Sequence, residues 1–402
     1  MKELVAPFRG ERYRRAARLG RLIAPPYDVI APPERARLAA FDEHNIVHVM
    51  LPEAPQGWSG DRYAWAAERL AAWRRERVLA TDAEPAVYVM AQGRRLGVFM
   101  ALAAEGYEPR RVRPHEQTHA GPKADRLALL RATGTNIESI FVIAPDADGK
   151  LARALKAVAR RRPPARTKLD GVPIRLWAVR DVSHFPFPDG PLYIADGHHR
   201  YETASAYARE NPAADRVLAF VASARDPGLV ILPTHRLIYG AGRDPQTLQE
   251  GWRAWFDIAP VPRTADPVKH LARVGQDRTA CLVAAPNGSL VSLTLRRDTP
   301  LDRVPELGRS AAVRALDVAR IEALVVKPIL AADTSTPTLR YTADAREALD
   351  DVRQGAASAA VLLNPTRVEQ VFAVADAGDV MPPKSTYFAP KVPSGLILRS
   401  AE

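Results

Sequence analysis

The sequence predicts an α+β protein with a mixed sheet, built as two domains over about residues 1–240 and 241–402, the second a smaller α/β unit. Three observations carry that expectation. Apolar runs of strand length alternate with helical patterns through the first half, some paired across short turns and some separated by a helix. A strand, a glycine turn and a helix follow one another at 192–210. After a glycine-containing linker at 240–244, a second set of helices and short strands begins. At 402 residues the chain suffices for two to three domains of about 150 residues each.

The elements follow in order. Residues 1–20 are polar and basic, and 23–30 are extended and locked by Pro25 and Pro26. Asp28 in that segment is open to two readings, a functional carboxylate or an Asx turn. Residues 33–41 read as a short helix and 46–51 as a weakly alternating strand. Residues 61–79 form an amphipathic helix with Leu70 and Trp73 on its apolar side. Strands at 86–91 and 95–102 are joined by Gln92-Gly93-Arg94, a hairpin signal. A helix at 125–132, a strand at 139–144, a helix at 151–160 and a strand at 173–179 lead to the central stretch. Strands at 216–223 and 229–232 follow it, the latter running into His235-Arg236 as a ligand-facing strand end or as surface charge. In the second domain, 279–285 and 290–296 make a strong hairpin with a type I′ signal at Pro286-Asn287-Gly288. Helices at 311–316, 343–354 and 368–377 and a strand at 359–363 complete it, before a proline-rich run at 381–391.

The chemistry concentrates at Asp196-Gly197-His198-His199-Arg200, where an apolar strand turns into a helix. First-turn amides have no intrahelical acceptor, and the macrodipole adds partial positive charge there, so this is a plan for holding phosphate. Gly197 lets the backbone approach a ligand. Asp196 is either a plain N-cap or a group that binds a metal ion or takes a proton. His198, His199 and Arg200 can donate to anionic oxygens; a small shift in the helix start decides which imidazole faces the ligand. Only nine His occur in the chain, so two adjacent ones at a helix start are not a product of composition.

Further polar groups gather in three places. His115-Glu116-Gln117-Thr118-His119 spells H-E-x-x-H, but that zinc motif works only on a helix, and Pro114 and Gly121-Pro122 bracket it. Lys123 and Arg126 sit at the start of the next helix. Lys384-Ser385-Thr386 lacks the glycines of a phosphate loop, yet Lys384 and Lys391 are two of only nine lysines. A tail closing over a site and a plain surface tail both fit.

The segment Ile194 to Ala204, with Pro25-Pro26-Tyr27-Asp28-Val29-Ile30, His115-Glu116 and Thr118, Gly121-Pro122-Lys123 and Asp125-Arg126, Pro233-Thr234-His235-Arg236 and Met381 to Phe388, resembles the prokaryotic domain of unknown function 1015 family. The shorter Asp-Gly-His-x-Arg core at Asp196 to Arg200 is similar to the phosphate-binding turn of the ParB/sulfiredoxin superfamily. That likeness implies a ParB/sulfiredoxin-like N-terminal domain and a nucleotide. The superfamily includes CTP-binding partition proteins, ATP-using sulfiredoxins and free-serine kinases.

Composition narrows the classes. The net charge of +11 invites nucleic acid, but the basic residues are scattered and 48 of the 57 are Arg, so nucleic acid is not the expected partner. One cysteine, Cys281, sits in an apolar run and fits a reducing compartment. No signal-peptide pattern and no apolar stretch of membrane-spanning length are present, so the expectation is a cytoplasmic protein.

The resulting expectation is a phosphotransferase using ATP, ADP or another phosphate donor with Mg²⁺, acting on a serine-like hydroxyl metabolite. Asp196 would hold the metal or orient the acceptor, and Glu116 would be the general base. Gly197, His198, His199 and Arg200 would cradle phosphate, with His115, Thr118, Lys123, Arg126, His235, Arg236, Lys384, Ser385 and Thr386 adding donors. The alternative is a ParB-like nucleotide-binding regulator, though no helix-turn-helix is evident. A metal-dependent hydrolase fits the residue types but has no matching motif.

Overall fold

The computed structural model describes residues 3–241, 248–307, 309–331 and 337–402; residues 242–247, which include most of the expected linker, lie outside that set. Two compact units result. Met1–Pro114, Thr118–Val230 and Pro390–Glu402 form the first, and His115–Gln117 and Ile231–Ala389 the second.

The first unit is built on a mixed nine-stranded sheet. Its strands are β1 (Val5–Ala6), β2 (Val87–Gln92), β3 (Arg95–Ala103), β4 (Val112–Arg113), β5 (Ile140–Ala144), β6 (Ala165–Leu169), β7 (Val172–Val179), β8 (Leu192–Asp196) and β9 (Arg216–Ser223). The order is β4-β8-β5-β9-β3-β2-β7-β6, with β1 also paired to β3. The β8–β4 and β9–β5 pairs are parallel and the remaining pairs antiparallel. β2 and β3 are apolar on both faces because both faces are covered, so they lack the polar alternation of a half-exposed strand. The expected hairpin joins them, with Gly93 at φ 58° in the turn.

One face of this sheet packs Val89, Val98, Val142, Ile194 and Val221 against Leu151 and Leu155 of one helix and Tyr201 and Ala204 of another. These lie on α5 (Lys150–Ala159) and α6 (His198–Glu210), which follow α1 (Pro32–Phe41), α2 (Val47–Met50), α3 (Arg62–Arg75) and α4 (Ala120–Thr133). The other face carries Phe99, Phe220 and Phe141, with neighbouring ring centroids 5.1 and 5.5 Å apart. Gly97 makes room for that row: a Cβ there would lie 2.2 Å from Phe220 Cζ.

The second unit holds a six-stranded sheet, antiparallel throughout: β10 (His235–Tyr239), β11 (Phe256–Pro260), β12 (Ala280–Ala284), β13 (Leu290–Leu295), β14 (Thr338–Thr342) and β15 (Ala359–Leu363), in the order β11-β13-β12-β15-β10-β14. Leu271, Ala348 and Val352 from its helices cover Leu237, Leu282 and Leu362. The unit is thus antiparallel α+β, where a smaller α/β unit was expected. Cys281 is buried in β12, as its apolar neighbours predict. Among the described residues no helix is long and apolar enough to cross a membrane.

Three further local expectations are corrected. Residues 47–50 are helical, because the buried Asn45 side chain accepts the Val47 N–H at 2.9 Å and starts a turn whose Val47, Val49 and Met50 are buried. The turn at 286–288 is not type I′, which needs positive φ at two central residues. Pro286 is held at negative φ, only Gly288 is positive at 78°, and its N–H returns to Ala285 O at 3.0 Å, giving a three-residue loop with a glycine bulge. His235 and Arg236 do not end the strand before them. That strand stops at Leu232, Pro233 breaks the pairing, and the two residues open β10.

Gly97→Ala is expected to lose about 1–3 kcal/mol in urea denaturation, because Phe220 and the packed strand beneath it must shift. Gly190→Ala, with open space around its Cβ, should stay within about 0.5 kcal/mol of wild type.

Candidate functional site

β8 is buried up to Ala195 and ends at Asp196; Gly197 then takes φ 91° and opens α6. Gly197, not Asp196, is the N-cap, and no side chain caps the helix. The first intrahelical bond runs from Tyr201 N to Gly197 O at 3.0 Å, so the amides of the first turn point away from the helix without an intrahelical acceptor. A Cβ on residue 197 would meet the Arg200 guanidinium at 3.0 Å, which with the positive φ explains the glycine.

The Asp196 side chain turns to two cations. Lys391 Nζ donates to Oδ1 and Arg200 Nη2 to Oδ2, the latter at 2.5 Å. Arg200 also donates to the Ser139 carbonyl. The three side chains are 16%, 14% and 10% exposed for Lys391, Asp196 and Arg200, so the cluster is nearly dry. Burial pushes the Asp196 carboxyl up, but Lys391, then Arg200, with His198 more weakly, hold it well below the usual carboxylate range. Burial likewise opposes the Arg200 charge, and Asp196, Glu138 and Asp28 overcome it. One carboxylate thus accepts from both a lysine and an arginine beside the start of α6. With both oxygens taken by cations, Asp196 does not fit a magnesium ligand. Among the described residues no group of three or more His, Cys, Asp or Glu is placed to hold a metal.

His198 is buried and His199 half-buried. His119 N–H donates to His199 Nε2 at 2.9 Å, which leaves that nitrogen unprotonated and puts the ring proton on Nδ1. Burial, then His119, hold the His199 pKa down, consistent with a neutral ring. One turn on, Glu202 accepts from Thr118 Oγ1 at 2.8 Å and Lys123 Nζ at 2.9 Å, so the segment opening α4 is tied to α6.

The Pro25-Pro26-Tyr27-Asp28 segment belongs to the same neighbourhood. Tyr27 N–H donates to Glu138 Oε1 at 3.0 Å, and the Arg126 guanidinium lies 4.3 Å from the Tyr27 ring centre. Burial, eased by Arg200, pushes the Tyr27 hydroxyl up to about 12. Arg126 is directed to Asp125, to the Met50 carbonyl and, at 3.5 Å, to Glu138, so it braces the fold. Asp28 is exposed, and its charge acts on both His199 and Arg200.

The remaining expected residues lie in the second unit. His115 is buried, with Nε2 3.1 Å from Thr386 Oγ1, and its carbonyl accepts from Met381 N–H at 2.8 Å. Residues 115–119 are not helical, so the H-E-x-x-H spelling has no zinc geometry. Ser385 Oγ donates to Pro382 O at 2.6 Å, Lys384 is exposed at φ 53°, and Glu116 is half-buried. His235 Nδ1 accepts the Leu363 N–H at 3.2 Å, and burial, then Arg236, push its pKa down to about 4. Arg236 is 1% exposed, bonded to the Thr234 carbonyl and 3.4 Å from Glu322. His235 and Arg236 are thus tied into the sheet.

Three contributors escaped the sequence reading of the site. Lys391 had a signal, the rarity of lysine, but nothing chose it over Lys384. Glu202 lies one turn beyond the Asp-Gly-His-His-Arg run, where helical spacing could have found it. Glu138 had no signal at all.

The Asp196 cluster makes stability depend on acid. Its folded pKa lies below the unfolded value near about 4, so the contribution is complete above that pH and is lost as pH falls toward the folded value. Asp196→Asn leaves two cations unpaired and is expected to lose about 3–5 kcal/mol near pH 7. In urea melts across pH, the gap to wild type should narrow steadily below about pH 4; a constant gap would contradict the ion-pair account.

No curated protein matches the chain. A conserved hypothetical protein from Pyrococcus furiosus is 14% identical, over 74% of this chain and 93% of that one, at a TM-score of 0.38. A free serine kinase in complex with AMP is 12% identical, over 73% and 87%, at 0.39. SbnI with a C-terminal truncation, from Staphylococcus aureus, is 12% identical, over 75% and 81%, at 0.36. The model of the family described as "Protein of unknown function (DUF1015)" matches residues 5–319, and the chain belongs to that family.

Proposed function

We propose that this chain is a nucleotide-dependent phosphotransferase whose acceptor is a small hydroxyl-bearing, serine-like metabolite, working in the cytoplasm. The observation that carries the reading is the gathering of a lysine and an arginine on Asp196 at the N-terminus of α6. Phosphoryl transfer asks a protein mainly for positioning and charge neutralisation, and such a seat supplies both. The likeness of the Asp196–Arg200 core to the ParB/sulfiredoxin turn points the same way.

In this reading the terminal phosphate of ATP or ADP lies at the α6 amides, with His199 Nδ1–H as a further donor. The acceptor oxygen bonds to the terminal phosphorus, the bond from that phosphorus to the bridging oxygen breaks, and the shortened nucleotide leaves with the electron pair. The hydroxyl proton passes to Asp28, the exposed carboxylate whose field reaches His199 and Arg200. Asp196 keeps Arg200 and the turn in place, and no step runs through a metal ion on it. Glu116 is given no role.

With ATP or ADP and a panel of hydroxy amino acids, the purified protein should consume nucleotide only when an acceptor is present. Asp28→Asn should lower kcat by about 10²–10⁴-fold while leaving the nucleotide KM close to wild type. No turnover with any acceptor, together with no nucleotide binding by calorimetry, would defeat the reading.

A further inference from the structure

The polar, basic start of the chain lies against the end of α3. Residues Glu11–Tyr13 pair antiparallel with Leu79–Thr81, and the Arg14 N–H extends that pairing by donating to Val78 O at 3.0 Å. This register sets Arg14 beside the residues that close the helix. The closure has Val78 N–H bonded to Trp73 O at 2.8 Å and Arg77 N–H to Arg74 O at 3.1 Å, the paired bonds of a Schellman cap. Arg77 takes φ 56° there. Glycine is the residue this position favours, so an arginine is kept against a backbone preference.

Between these segments lies a cleft of about 670 Å³. That is inside the roughly 300–1,000 Å³ of small-molecule sites. Leu22 and Val78 contribute apolar surface, and Arg14, Arg15, Arg18 and Arg77 contribute four guanidinium groups. Arg18 is fixed, with Nη2 donating to Asp42 Oδ2 at 2.5 Å. Among the described residues, no oxygen accepts from the guanidinium groups of Arg14, Arg15 or Arg77. Acids are present but engaged elsewhere. Glu43 and Glu76 also line the cleft, and they lie 3.7 Å from Nδ1 and 3.8 Å from Nε2 of His44. His44 is held in turn by the Trp73 ring at 5.6 Å and, through its carbonyl, by the Tyr13 hydroxyl at 2.7 Å. Two acids therefore flank one imidazole, while three arginines share the same concavity with no anion of the chain between them. Like charges gathered in a concavity repel each other and focus the field on any anion that enters.

We propose that this cleft is a second anion site, for a small phosphate-bearing molecule with two or more negative charges. None of its lining residues belongs to the Asp196 cluster, and the inference does not rest on the phosphotransferase reading. A guanidinium is a planar, permanently charged fork that takes two oxygens of one phosphate at once. One such fork satisfies a lone carboxylate. Three of them suit a group with many peripheral oxygens, such as a diphosphate. The cleft leaves room for an organic body beyond the phosphates, against the apolar surface of Leu22 and Val78.

The test reads the arginines themselves. Wild-type protein is treated with phenylglyoxal, which modifies guanidinium groups, at increasing pyrophosphate and about 0.15 M salt, and the modified peptides are quantified by mass spectrometry. Arg14, Arg15 and Arg77 should slow together along one binding curve, by about tenfold when pyrophosphate stands at about ten times its midpoint. Arg346, exposed in the second unit, should react at one rate throughout. Arg77→Gly suits the left-handed backbone, so it should be at least as stable as wild type in urea, while the pyrophosphate protection of Arg14 and Arg15 should weaken by about tenfold, as loss of one charge-assisted contact predicts. Equal rates for the three arginines with and without pyrophosphate would overturn the inference and leave the phosphotransferase reading untouched. Protection by citrate as strong as by pyrophosphate would overturn the phosphate assignment. Protection by a single-stranded oligonucleotide alone would overturn the small-molecule one.

Discussion

A single nearly dry carboxylate between two cations is the constraint from which the first unit's architecture follows. Asp196 is the last residue of a buried strand, Arg200 belongs to the helix that starts one residue later, and Lys391 comes from the other end of the chain. Taking these charges out of water is unfavourable for each, and only close mutual geometry compensates. That requirement welds strand end, helix start and C-terminal segment into one object. Gly197 is part of the same demand, because any side chain there would strike the guanidinium that neutralises Asp196.

Two other carboxylates extend this rigidity outward. Glu138 gathers the Tyr27 amide, Ser394 and Arg126, so the proline-locked segment that presents Asp28 and the segment that carries Lys391 share one anchor. Glu202 gathers Thr118 and Lys123 and ties the start of one helix to the first turns of another. Beneath them the aromatic face of the sheet sets where Arg95 can lie, and that face exists because Gly97 yields its space to Phe220. A backbone choice in the middle of β3 is thereby connected, through Arg95 and Gln92, to the position of a lysine some three hundred residues later.

What could be read from the sequence was what local chemistry decides. The α+β class, the hairpin at Gly93, most strand and helix placements and the strand–glycine–helix turn at Asp196 all follow from periodicity and turn residues. Errors arose where distant packing overrode local preference. Residues 47–50 look β-branched and alternating, yet a buried asparagine and burial of Val47, Val49 and Met50 make them helical. Asp-Gly at a helix start looks like an acidic N-cap, yet the carboxylate is drawn away by two cations, only one of them nearby in sequence. His235-Arg236 looks like an exposed polar strand end; Pro233 restarts the strand and buries both. Only Lys391 lies far along the chain, where no window of residues can reveal it; Asn45 and Pro233 are close neighbours, and there it is burial that the local pattern does not show.

The pairing of Asp196 with two cations also bears on the proposed chemistry. A carboxylate intended for a divalent cation must keep its oxygens for the metal, and lysine and arginine on both of them would repel it. A seat for phosphate has the opposite need: positive charge in excess, amides pointing outward, and acids present only to hold the cations in place. Asp196, Glu138 and Glu202 each do that holding, and none stands alone. Asp28 differs, since it is exposed and shapes the field of His199 and Arg200 from outside the ion-paired cluster. Under the phosphoryl transfer proposed above, the acids that brace cations would steady the phosphate's seat and the one acid left in solvent would take the hydroxyl proton.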